Sequence, residues 1–256
     1  MVKYVYVFRK KAFKMDVYSQ DFLVTLPDVG ENNRLTNKGI LRMLQEIACI
    51  HSSLVGFGVN DATSTGFAWI LLNWKLQVFS RPVWNTKLKI NTWSSKHTLV
   101  AFYRDFEVFD SNNNLVAIAT SKWVLFDFNK NSIAKITANI ENRYTHVYKH
   151  VFDVPMVEKL KEPDDSKVVY EYTVSRRDID TNHHVNNLNY LDFAYEAIPE
   201  DMFFHSDFKN VEIMYKHEAK LGDNLSLFYT QKDNAVFVAI KDKEDDKLHC
   251  IVKLYY

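Results

Sequence analysis

With 256 residues, 47% of them apolar, the chain can bury one large core or two modest ones, which excludes a disordered polypeptide. Acidic and basic residues balance at 32 each, so the overall charge calls for neither nucleic acid nor an anionic membrane surface. Two cysteines, Cys49 and Cys250, sit in separate apolar runs without metal-type spacing, a pattern of reduced core thiols in a cytosolic protein rather than a disulfide scaffold.

The opening MVKYVYVFRKKAF has an apolar patch far shorter than a signal-peptide core, basic residues follow it at once, and no segment reaches transmembrane length. An amphipathic surface segment is the alternative reading of this stretch. MDVYSQDFLVTL then reads as a first strand. After the polar loop ENNRLTN, residues Ile40, Leu44, Ile47, Ala48 and Leu54 recur at helical intervals, and Gly56 marks the stop. FSRPVWNTKLKINTW opens a sheet. VAFYRDFEVF and LVAIATSKWVLFDF, separated by the turn cluster DSNNN, predict an antiparallel hairpin over Val100 to Phe128. The stretch HVFDVPMVEKLKEPDDSK, with two prolines and many charges, reads as a connector with room for a short helix.

The pattern then starts again. SKVVYEYTVS is a strand, DTNHHVNN a polar loop, and Tyr190, Phe193, Ala194, Ala197 and Ile198 a helical stripe ended by Pro199; EAKLGDNLSLFY and a hairpin around KDKEDDK follow. Such self-similarity implies duplication of one α+β unit. The first unit is expected over residues 1–149, the connector over 150–167 and the second unit over 168–256.

The densest chemistry lies in RRDIDTNHHVNNLNY, Arg176 to Tyr190. In an extended segment, Asp180, Asn182 and His184 would share one face, with Thr181 and His183 on the other. A helix starting near Asn186 or Asn187, both good caps, would leave free backbone N–H groups beside the triplet, where a developing oxyanion is stabilised. The plain alternative is a set of turns and caps. Metal binding is not expected, because adjacent His183 and His184 diverge in a strand and no cysteine or HxxxH pattern completes a site. Laying Asn37 against Asn187 puts Gly30, Asn32 and Arg34 opposite Asp180, Asn182 and His184, so the first unit keeps the scaffold without acid or imidazole.

RRDIDTNHHVNNLNYLDFAYEAIP resembles the active-site segment of the plant-type acyl-ACP thioesterases, and IMYKHEAKLGDNL resembles their second active-site strand. RPVWNTKLKINTWSSKHTLVAFYRDFEVF and AIATSKWVLFDFNKNSIAKI resemble that family's long first-half strands. The resemblance covers nearly the whole chain. It implies an α+β double hotdog, each unit a long helix wrapped by an antiparallel sheet, with an acyl-chain pocket in the first unit and catalysis in the second. It also implies hydrolysis of the thioester joining a fatty acyl chain to acyl carrier protein. The residues it carries over are Asp180, Asn182 and His184 on the loop and helix start, and Glu218 on a strand.

Some members place cysteine after that glutamate; this chain has Ala219, which favours attack by water, with Glu218 and His184 as an acid–base pair in either order. Asn182 would hold the oxyanion and Asp180 would fix the loop. Arg176, Arg177, Lys216 and Asn186 are candidate substrate or carrier contacts, with Lys209 and Lys220 nearby in sequence. His183 and His217 read as surface or supporting residues, and Trp74, Trp84, Trp93 and Trp123 as packing aromatics. No cofactor is expected. The reading places the protein in a bacterial cytoplasm, as monomer or homodimer. An acyl-CoA thioesterase of the same fold and a noncatalytic acyl-binding hotdog protein stand as alternatives.

Overall fold

A computed structural model describes residues 16–154, 159–162 and 165–256. The readings placed on the opening segment, and part of the connector at residues 155–158 and 163–164, lie outside the described residues. Among the described residues, eleven strands form a single sheet. They are β1 (Tyr18–Leu23), β2 (Phe67–Val78), β3 (Lys87–His97), β4 (Ala101–Asp110), β5 (Leu115–Asp127) and β6 (Ser132–Ile133), then β7 (Lys167–Thr173), β8 (Asn210–Tyr215), β9 (Asn224–Lys232), β10 (Ala235–Asp242) and β11 (Leu248–Tyr255). The spatial order is β1-β3-β4-β5-β2-β8-β11-β10-β9-β7, with β6 on β5. Read outward from the centre, each half gives the same succession, which is the duplication the sequence implies.

The halves meet through β2 and β8, which pair antiparallel from Asn73↔Met214 to Gln77↔Asn210. The hairpins form where turn chemistry demands them. In DSNNN, Asp110 Oδ1 accepts from the backbone N–H of Asn112 and Asn114, each at 2.8 Å, and Asn113 takes φ 61°, a conformation asparagine tolerates better than most residues.

Helix α1 spans Asn37–Leu54, capped by Thr36, whose hydroxyl accepts from Gly39 N at 3.0 Å. Such a cap contributes about 1 kcal/mol. Ile40, Leu41, Met43, Leu44, Ile47 and Ala48 are all buried against the sheet, each large side chain worth about 1.5–3 kcal/mol of transfer energy. The short α2 (Ala62–Thr65) and α3 (Ala138–Glu141) follow in the first half; α4 (Asn189–Glu196) and α5 (Glu200–His205) belong to the second. One core cluster runs through both halves and takes in the buried faces of α1 and α4. No helix among the described residues is long and apolar enough to cross a membrane.

The architecture is the expected α+β double hotdog, with three local differences. The second unit has no long helix: α4 is 8 residues against 18 in α1. Most of the difference lies at the C-terminal end: α4 stops at Glu196 and α5 begins at Glu200, with Pro199 between them, a residue that lacks the N–H a continuing helix needs. The start is later as well: a Cβ on Gly39 would sit 2.5 Å from Asp28 O, whereas Asn189, at the matching place, bonds Asp178 O through its side-chain amide at 3.2 Å. The described part of the connector carries no helix. Trp74 and Trp93 are buried and Trp123 half-buried, but Trp84 is 50% exposed, so it is not a packing aromatic.

Candidate active site

Each half begins its loop with the same turn. Leu26–Asp28 and Arg176–Asp178 are single turns of 3₁₀ helix. Asp28 Oδ2 accepts from Thr25 N (2.9 Å) and Oγ1 (2.5 Å), and Asp178 Oδ2 from Ser175 N (2.7 Å) and Oγ (2.8 Å). Burial pushes both carboxyls up, but hydrogen bonds and charge outweigh it. Arg42 and Thr25 hold Asp28 below the usual carboxylate value, and Tyr172, Ser175 and Arg177 do so for Asp178.

From Asp178 the chain makes a tight hairpin turn. Ile179 and Val185 form an antiparallel bridge, Asp180 N donates to His184 O (2.9 Å), and His183 N donates to Asp180 O (3.1 Å). His183 lies at φ 64°. The segment is therefore not extended, so alternation along a strand does not place Asp180, Asn182 and His184; the turn brings the backbones of Asp180 and His184 together instead. Asp180 Oδ1 accepts from Asn182 N at 2.8 Å, which fixes the turn's shape. Asn186 is not the first helical residue. Its side chain accepts from Leu188 N (3.0 Å) in a turn that leads into α4 at Asn189.

Glu218 arrives from far along the chain and lies past the end of β8 at Tyr215, in the following loop rather than on a strand. Val185 N donates to Ala219 O (2.9 Å), and Ala219 N donates to Tyr190 Oη (3.1 Å). On its other side, Lys216 N donates to His249 O (2.8 Å), and His249 Nδ1 lies 3.2 Å from His217 O. Residues 184 and 218 are thus neighbours of a bonded pair, and His184 Nε2 stands 3.9 Å from Glu218 Oε1. Their side chains are 35% and 61% exposed, open to a substrate. Distances slightly beyond hydrogen-bond reach are usual for acid–base pairs before substrate binds.

Asn182, two residues before His184 in the same turn, lines a cavity of about 140 Å³. Its other walls come from α1 and the strands of the first half, with Cys49, Phe57, Trp69, Phe102 and Trp123 among them. The turn that carries His184 thus also reaches an apolar compartment, through Asn182. A second, wider groove of about 1240 Å³ occupies the counterpart position and is lined by the first-half loop and by residues of α4 and α5.

Arg176, Arg177, Lys216 and Lys220 are exposed. Lys209 lies at the opposite end of β8, some 20 Å away at strand rise, and lines the wider groove instead. His183 and His217 are exposed. Among the described residues, His97, Glu141 and His146 bring donor atoms within 4.8 Å of one another. The pair His97–Glu141 (3.1 Å) and the contact between Ser94 Oγ and His146 Nδ1 (2.9 Å) already engage that cluster.

Sequence reasoning passed over Arg104, which lines the cavity, and its partner His51; both are buried, their Nη1 and Nδ1 atoms 2.9 Å apart. A signal was present: in VAFYRDFEVF, Arg104 falls on the parity of Phe102, Phe106 and Val108, all three buried.

Sequence models of the acyl-ACP thioesterase N-terminal and C-terminal domains match residues 15–144 and 161–254. Oleoyl-acyl carrier protein thioesterase 2 of Arabidopsis thaliana is 24% identical over 223 residues, covering 80% of this chain and 60% of that protein. A palmitoyl-acyl carrier protein thioesterase of Cuphea hookeriana is 23% identical over 217 residues, 79% of this chain and 52% of that one. This chain therefore spans about half to three fifths of the length of these relatives. Among solved structures, an acyl-ACP thioesterase from Bacteroides thetaiotaomicron superposes with a TM-score of 0.84 at 23% identity, over 93% of this chain and 97% of that one. The 12:0-ACP thioesterase from Umbellularia californica gives 0.80 at 20%, over 93% and 96%; at such identity the likeness speaks for the fold. With both family domains matched in order along most of its length, the chain belongs to the acyl-ACP thioesterase family.

Proposed function

We propose that the protein hydrolyses the thioester of a fatty acyl chain on acyl carrier protein, releasing the free acid and the carrier thiol. The observation that carries this reading is the pair His184–Glu218, 3.9 Å apart, with His184 in a turn whose Asn182 lines an apolar cavity. A water between the two groups, at about 2.8 Å from each, fits the separation. Glu218 takes a proton from that water, which attacks the thioester carbonyl; the C–S bond breaks and the thiolate leaves with a proton from the His184–Glu218 pair. Asn182 Nδ2–H donates to the oxyanion, together with a backbone amide near the start of α4. Asp180 holds the turn through Asn182 N. In this reading residues 1–149 supply the acyl compartment, 168–256 the catalytic groups, and 150–167 connect them.

The carrier's acidic surface would meet Arg176, Arg177 and Lys216, all exposed and flanking the paired segments, with Asn186, half-buried at the turn into α4, a further candidate contact. The relatives' names specify oleoyl and palmitoyl chains, so membership of the family leaves chain length open. The test compares hydrolysis of one acyl chain on acyl carrier protein and on coenzyme A, with wild type and with Arg176 and Arg177 both changed to Glu. The reading expects a carrier-protein preference that the reversal reduces several-fold, with little change on coenzyme A. Equal rates on both substrates, equally reduced, would favour an acyl-CoA thioesterase; hydrolysis of neither would favour a binding protein.

A further inference from the structure

The cavity beside α1 contains a charge that hydrolysis of a plain fatty acyl chain does not use. Arg104 on β4 is 6% exposed and lines the cavity. Its Nη1 donates to His51 Nδ1 (2.9 Å) and to Thr92 Oγ1 (3.2 Å). Among the described residues no carboxylate pairs with it. The next residue, Asp105, faces His150 (3.5 Å), on the other face of the strand by its parity.

The titratable groups around the guanidinium are all neutral. Burial, with help from the Arg104 charge, holds the His51 imidazole down at about 3. Burial also raises the Cys49 thiol and the Tyr144 phenol. Glu46, whose charge reaches Cys49, lies on the exposed side of α1. A buried cation without a counter-charge is costly, so such groups are normally paired or face a ligand that pairs with them.

We propose that this cavity is a subsite for an acyl chain bearing an oxygen function at its distal end, a carboxylate above all, received by Arg104. The proposal rests on the thioesterase reading and narrows its substrate class. The aromatic walls of Trp69, Phe102 and Trp123 take the methylenes, and the guanidinium takes the tail oxygen through a charge-assisted bond. The cavity's 140 Å³ is close to the volume of about 150 Å³ that accommodates a benzene-sized guest, so the chain it fits is short, about six to eight carbons.

The test measures kcat/KM on three carrier-protein thioesters: octanoyl, ω-hydroxyoctanoyl and the half-thioester of octanedioic acid. Wild type is expected to favour the octanedioyl chain over octanoyl by about tenfold or more, with the hydroxy chain between. Arg104→Met is expected to reverse that order, and Arg104→Lys to keep part of it. Should the variants fail to fold, the wild-type panel decides alone. An octanoyl rate equal to or above the octanedioyl rate in wild type overturns the subsite while leaving the thioesterase reading intact. Hydrolysis of none of the three alongside hydrolysis of a hexadecanoyl or octadecenoyl carrier thioester also overturns the subsite and leaves the thioesterase reading intact; hydrolysis of no carrier thioester of either length overturns the thioesterase reading, and the subsite with it.

Discussion

The first-half loop and the second-half loop share a backbone but not a task. Gly30 N donates to Arg34 O as Asp180 N does to His184 O, and Asn33 and His183 both take positive φ. Leu35 N donates to Pro82 O (2.8 Å) as Val185 N does to Ala219 O (2.9 Å). By this register Arg34 stands where His184 does, and Arg81 where Glu218 does. In place of an acid and an imidazole the first half carries two arginines. Arg81 binds Leu35 O, Asn37 Oδ1 and Phe208 O at 2.9–3.0 Å and Asp207 at 2.6 Å, so it ties the two halves together. Glu218 is 61% exposed and faces His184, of its own half, at 3.9 Å. One scaffold position thus joins the two halves in one copy and stands exposed in the other, where the proposed mechanism uses it.

Substitutions at equivalent positions sharpen that contrast. Asn182→Ala is expected to lower kcat by about a hundred- to a thousandfold if its amide holds the oxyanion, whereas Asn32→Ala, at the matching place, leaves kcat unchanged; steady-state rates on one acyl-ACP substrate check both. Arg81→Ala removes donors from two backbone carbonyls and leaves Asp207 unpaired. Its expected cost is about 2–4 kcal/mol, read by urea unfolding, against less than about 0.5 kcal/mol for Glu218→Ala.

The smallest effect concerns the two anchoring turns, which both halves keep. Asp28 and Asp178 have folded pKa values below the unfolded value near 4. Each therefore adds stability at neutral pH that fades as pH falls through its folded value. Asp178→Asn should cost about 1 kcal/mol at pH 7. The gap from wild type should close on acidification below about pH 4, as followed by thermal melts across that range.

The sequence made the duplication, the strands and the first helix readable because apolar periodicity and turn residues act locally. The offset that set Gly30 and Arg34 against Asp180 and His184 holds in the backbone bonds. The turn at 180–184 was not readable as such, because an Asx-rich run satisfies a strand's parity and a tight turn equally well until Asp180 N finds His184 O. The end of α4 was legible in Pro199, whereas its late start at Asn189 goes with a side-chain contact to Asp178 O, outside any periodicity. Glu218 was visible only by resemblance. Its neighbourhood comes from the Val185–Ala219 bond, which joins segments 34 residues apart. The join of β2 to β8 is likewise tertiary, since either strand's pattern would suit an edge or a centre.

The most direct measurement is kcat on a carrier-protein thioester for Glu218→Gln and His184→Ala, with thermal melts showing that each variant folds as wild type does. The account predicts a fall of about a hundred- to ten-thousandfold for each, with KM little changed. Folded variants that retain near wild-type rates would contradict it.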